Sequence, residues 1–172
     1  MDPIFGWIET SALSSWIRGE SIESTFAFPV IITLHTLGMG FLAGGSAAID
    51  LRVLGFASNM PLKLMGRFLP LLWLAFVVNA ASGTLLLIAY PTKALTNPVF
   101  YVKVGLIALA VWLIYRIGAD VLRASDVDQK PVAAKAKLFA IASLAAWVAL
   151  IFAGRLLAYT HTWEMLGIRS LT

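Results

Sequence analysis

Four stretches of this chain are each long and apolar enough to cross a bilayer, and that leaves few folds open. They run from about Phe26 to Ile49, Leu69 to Tyr90, Val104 to Ile117 with its flanks, and Leu138 to Leu157. A transmembrane helix needs roughly 20 mostly apolar residues, and the third stretch qualifies once Phe100 to Lys103 join the same helix. With 60% hydrophobic and 13% charged residues in 172, the chain is too apolar for an ordinary soluble domain. The pattern predicts an all-α, four-transmembrane-helix bundle as a single integral membrane domain over residues 1–172. Its spans fall at about 26–54, 66–90, 98–122 and 135–160, after an amphipathic interfacial helix within 1–24.

The first apolar run does not read as a secretory signal. It is too long for a signal core and follows a leader bearing Asp2, Glu9, Glu20 and Glu23. There are no cysteines, which excludes disulfides, thiolate metal sites, covalently attached c-type haem and cysteine-ligated iron–sulfur clusters. The net charge of +4 lies in short loops, where it sets topology; no nucleic-acid partner is expected. Arg52, Lys63, Arg67, Arg116, Arg123, Lys130, Lys135 and Lys137 flank the first and third connections, eight on one side. Arg18, Lys93, Lys103, Arg155 and Arg169 make five on the other. The positive-inside rule then puts both termini in the periplasm of a bacterium, with the chain in the inner membrane.

Within residues 4–17, Ile4, Ile8, Leu13, Trp16 and Ile17 fall near one helical face, with Trp7 beside them. That spacing, and tryptophan's preference for interfacial depth, predicts a helix lying on the membrane surface. Ser24 or Thr25 is the expected cap of the next helix, with Pro29 in its first turn. Asn59 and Pro61 mark a turn, and Pro70 opens the second span. The link YPTKALTNP breaks the chain before Pro98, and SDVDQKPVAAK forms the main loop before the last span.

Polar groups at membrane depth point to function. In VIITLHTLGMGFLAGG, residues 30–45, an apolar helix carries His35 among glycines. If Asp50 and Arg52 mark the inner surface, His35 stands ~22 Å above it, in the outer half of the membrane. Lys103, Arg155 and His161 come to the same leaflet. Two imidazoles, His35 and His161, are candidate metal ligands for b-type haem, with Lys103 and Arg155 available to its propionates. Gly38 shares a face with His35 and leaves room for a flat macrocycle. Quinone or lipid fits the same set. Against the two-histidine form, His161 is shallower than His35 by ~10 Å, and Arg155 points about 120° away from His161. A single-histidine haem, or haem shared with a partner subunit, avoids both difficulties.

Bland readings stand beside these. Gly40 and Gly44 form GxxxG, a helix-packing motif, so Gly44→Leu is expected to harm assembly more than Gly118→Leu. Asp50 reads as an ion-pair partner of Arg52, Arg67 or Arg116. Asn79, Ser82 and Thr84 read as interhelical hydrogen-bonding groups. Asp50 is the one carboxylate at depth, so a proton-coupled pump is not expected. No HExxH, nucleophile elbow, phosphate loop or carboxylate pair marks an enzyme.

The runs LHTLGMGFLAGGSAAIDLRVLG, NPVFYVKVGL and GRLLAY, in that order, resemble a family of small bacterial four-helix membrane proteins that carries a domain-of-unknown-function label. The likeness extends from about Trp16 to Tyr159. It implies polar family positions at His35, Asp50, Arg52, Lys103 and Arg155, with His161 outside the pattern. More loosely, the early histidine and double glycine are similar to copper-resistance D proteins and four-helix b-type cytochromes. The expected function is a redox membrane subunit holding haem b or quinone at the outer leaflet and exchanging electrons with a periplasmic partner. The alternatives are a cofactor-free accessory subunit of a larger membrane complex, or a small transporter or metal-handling protein. Membrane lipids and other membrane or periplasmic subunits are the expected partners.

Overall fold

A computed structural model describes residues 3–122, 128 and 131–165, with Pro3 and residues 158 and 160–165 as backbone. The described residues form helices and turns, with no strand. In chain order these are α1 (Pro3–Glu9), α2 (Ala12–Arg18), α3 (Ala27–Leu54), α4 (Leu62–Met65), α5 (Leu69–Ala89), α6 (Pro91–Leu95), α7 (Pro98–Ile117) and α8 (Ala134–Met165). A π turn, Gly118–Leu122, extends α7. Four helical segments, Ile22–Leu54, Leu62–Ala89, Pro98–Leu122 and Ala134–Leu157, are long and apolar enough to cross a membrane. A helix pairs every backbone polar group within its own segment, which hydrocarbon requires.

Local chemistry sets the helix ends. Gly55, at φ 109°, closes α3. Its N–H bonds Arg52 O at 3.1 Å while Phe56 N–H bonds Leu51 O at 3.0 Å, a Schellman ending that needs a residue tolerant of left-handed backbone. Asn97 caps α7 by accepting from Val99 N–H at 2.9 Å, with Pro98 in the first helical position. Two expectations differ here. Neither Ser24 nor Thr25 caps α3: Ser24 Oγ bonds Ser21, Thr25 Oγ1 donates to Ser21 O, and Phe26 holds the cap position. The N-terminal segment is two short helices rather than one, because Ser11 takes an extended backbone and its side chain caps α2 at Ser14 N–H.

Helix α3 packs against α5 on one side and α8 on the other, and α7 packs against α8. Glycines set the α3–α5 approach. A Cβ on Gly38 would lie 3.1–3.2 Å from Asn79 Cβ, Asn79 N and Ala75 O, and one on Gly45 would lie 2.5 Å from Leu72 Cδ2. Gly40 and Gly44 meet nothing within 4 Å, so the GxxxG pair is not the seam. The expected ranking of Gly44 and Gly118 reverses as well: a Cβ on Gly118 would sit 3.1 Å from Leu69 Cδ1, where α5 and α7 meet. That contact lies at the far end of the bundle, with buried Leu69, Leu72, Ile114 and Ile117 around it.

At the opposite end, α1 and α2 fold onto α5 and α6. Arg18 donates to Glu20 Oε1 at 2.6 Å, Glu9 O at 2.8 Å and Ala89 O at 3.2 Å, and also to Ser14 Oγ. Thr92 Oγ1 donates to Glu9 Oε2 at 2.7 Å. Ile17 is fully buried beneath.

Candidate functional site

His35 sits eight residues into α3, ~12 Å from the end that carries α1 and α2. Its ring turns toward α5. Nδ1 lies 3.1 Å from Asn79 O and 3.2 Å from Ser82 Oγ, while Asn79 Nδ2 returns a bond to His35 O at 2.7 Å. Ser82 donates its own proton to Val78 O at 2.7 Å. A backbone carbonyl can only accept, so these partners assign the imidazole proton to Nδ1 and leave the lone pair on Nε2. Gly83 is what lets the ring lie against α5, since a Cβ there would come within 3.1 Å of Cε1.

Beside the ring is a cavity of about 630 Å³ lined by α3, α5, α6, α7 and α8, within the ~300–1,000 Å³ of small-molecule and cofactor sites. His35, Lys93, Lys103 and Arg155 line it, and Tyr90 and Phe100 add aromatic walls. Gly40, Gly83 and Gly154 supply the bare backbone. Three cations and one imidazole thus face one space, and no carboxylate is among the lining residues.

Three of the expected site residues, His35, Lys103 and Arg155, meet there. Gly38 does not line the cavity; it is buried against α5, and Gly40, on a different side of α3, takes the place expected for it. The side chain of His161 lies outside the described residues, so the second axial histidine has no placement. Among the described residues no group of three or more His, Cys, Asp or Glu gathers as a metal site. Lys93 was not legible as a site residue. It lies in the proline-flanked link, and α6 turns it back over the cavity as one helical turn.

Of the interhelical polar groups, Asn79 and Ser82 cross to α3, whereas Thr84 bonds back to Ala80 O at 2.9 Å on its own helix. Asp50 departs from expectation. It is 1% exposed, and among the described residues no ion pair reaches it. Arg52 instead holds the following turn, donating to Met60 O at 2.6 Å and Ser58 O at 3.1 Å, and Arg116 pairs with Asp120 at 2.6 Å. Asp50 points into the bundle while Arg52, two residues on, lies some 200° round the helix. No protein family, curated protein or solved structure matches the chain.

Proposed function

We propose that the protein is a redox subunit of the bacterial inner membrane, with both termini periplasmic, holding haem b in the outer-leaflet cavity on His35 alone. The observation that carries the reading is the histidine itself. Its Nδ1 is tied to a backbone carbonyl, the arrangement that fixes tautomer and ring orientation in metal-ligating histidines and leaves Nε2 free to bind. The donor set fits haem b. His35 would ligate the iron, Lys93, Lys103 and Arg155 would pair with the two propionates, and Gly40 and Gly154 leave open space in the lining. Bound haem supplies a one-electron centre. The chain's residues orient it, neutralise its carboxylates and keep one face apolar.

The surroundings support a place at the membrane surface. Trp7 is 75% and Trp16 52% exposed on the short helices above the cavity, where tryptophan favours the interface. A periplasmic electron-transfer partner would dock at this end. A quinol is the second reading, because the same Nε2 lone pair accepts from a quinol hydroxyl.

The test is the absorption spectrum of the purified protein, oxidised and then reduced with dithionite. The expected result is a sharp reduced α-band, lost in His35→Ala with helix content unchanged. A band that survives His35→Ala removes His35 as ligand. A colourless, fully folded preparation grown with excess haem moves the reading to the quinol, or to a cofactor-free accessory subunit if quinol does not bind.

A further inference from the structure

A second polar cluster lies away from the cavity, on the seam between α3 and α8. Ser46 and Asp50 share one face of α3, four residues apart, and Ser143 and Trp147 share one face of α8. Ser143 faces the Asp50 carboxyl. The two helices run antiparallel, so one turn further along the seam Ser46 comes level with Trp147. All four side chains are at least 95% buried. Ser46 Oγ, Asp50 Oδ2 and Trp147 Nε1 are buried without a hydrogen-bond partner among the described residues, and Ser143 Oγ has only the Asp50 carboxyl beside it.

The two serines differ from other hydroxyls on these long helices. Thr33, Thr36, Ser82 and Thr84 each bond back to the carbonyl four residues earlier, at 2.7–2.9 Å. Ser46 and Ser143 do not, and both stand beside Asp50. Buried polar atoms without partners are rare in native proteins and call for an occupant or a chemical role.

We propose that Asp50, flanked by Ser46, Ser143 and Trp147, is a buried proton-binding site. In the uptake step a hydronium ion gives its proton to the carboxylate, leaving water and a neutral carboxyl; release reverses it. A proton fits better than a metal ion. Trp147 Nε1 is a donor only, so it can donate to an oxygen but cannot ligate a cation. The set also holds a single charged ligand, where a hard cation takes about six oxygens. An unpaired carboxylate in a buried seam is costly, and among the described residues no salt bridge reaches this one. Helix α5 carries no charged residue over Leu69–Ala89. Arg52 and Arg116 are engaged elsewhere, Lys135 lies over Phe139, and Lys103 and Arg155 line the cavity at the other end. Lys137 is six residues from Ser143, ~9 Å along α8. Asp50 is four residues from the end of α3, ~6 Å, which gives a short path to water at the far end.

Infrared difference spectroscopy of the purified protein, with labelled aspartate to separate Asp50's signal from glutamate, tests this. The expected result is a carboxylic C=O band that appears and disappears with pH, is lost in Asp50→Asn, and is displaced in frequency or midpoint by Ser143→Ala. A wild-type protein without a titrating band overturns the proposal, as does a band that persists in Asp50→Asn. Erasure of the band at fixed pH by sodium chloride, but not choline chloride, assigns the site to a metal cation and also overturns it. If Asp50→Asn does not fold, Ser46→Ala and Ser143→Ala decide alone, and a band unmoved in both sinks the idea.

Discussion

Gly38 and Gly40 are two residues apart and do opposite things. A Cβ at Gly38 would press on the backbone of α5 at Ala75 O and Asn79 N, 3.2 Å away, and neither atom can swing aside. Gly38→Ala should therefore force the α3–α5 crossing apart and destabilise the bundle by about 1–3 kcal/mol, the usual range for overpacking. Gly40→Ala, with nothing within 4 Å, should be neutral or slightly stabilising through helix propensity. Unfolding in mixed micelles with increasing dodecyl sulfate measures both; equal midpoints for the two variants would falsify the seam. The same contrast predicts that Gly118→Leu lowers the folded yield more than Gly44→Leu, because the larger side chain at 118 must displace Leu69. In the sequence the glycines were visible but their faces were not. A GxxxG spacing says which residues are level with one another, while which side of a helix meets its neighbour depends on crossing geometry that only packing sets. His35 was legible for the opposite reason: an imidazole in an apolar run needs a partner whatever the packing.

Among the elements, α1 and α2 depend most on charge. Arg18 ties them to the end of α5 through Ala89 O, and to Glu20. The Arg18 hydrogen bond, with help from Ser15, holds the Glu20 carboxyl below its ordinary range, and Glu20 in turn raises the Arg18 guanidinium. A carboxyl lowered by folding adds stability that is present above its unfolded value, about 4.3, and is lost as pH falls through the lower folded value. Arg18 stays charged throughout that window. Amide-exchange protection in residues 3–18, corrected for the intrinsic rate, should accordingly fall on acidification below about pH 4, more at low salt than high, while α3 and α8 stay protected. Arg18→Gln should produce the faster exchange already at neutral pH; unchanged protection in that variant would show that the buried Ile17, and not the latch, holds these helices. The four long helices were readable from hydropathy and prolines alone. The division of the N-terminal segment at Ser11 was not, because a capping serine and a serine on a helix surface look the same until the backbone turns.

At the scale of the whole molecule, the proposed function rests on a cavity at one end of the bundle. At the far end Gly118 lies against Leu69, and at the near end a cavity is walled by the spans and α6. The sequence placed His35, Lys103 and Arg155 at one depth by simple counting along the helix. It could not say that they face one space, nor that Lys93 joins them, since azimuth and the fold of a connecting link are tertiary properties. Topology is tested by a C-terminal reporter active only in the cytoplasm, which should be silent if the eight-to-five split of basic residues governs insertion. Occupancy is tested by filling the cavity without touching its polar groups. Gly154 lines it, and a Cβ there meets nothing within 4 Å, so Gly154→Leu adds volume to the cavity and not to a packed seam. If haem b occupies the cavity as proposed, helix content should stay at the wild-type value while bound haem falls at least tenfold, the effect of about 1.4 kcal/mol of lost binding energy. Reduced absorbance per protein reads this directly. Full haem occupancy in Gly154→Leu would place the ligand elsewhere, because a group that fills this space cannot share it with a leucine side chain.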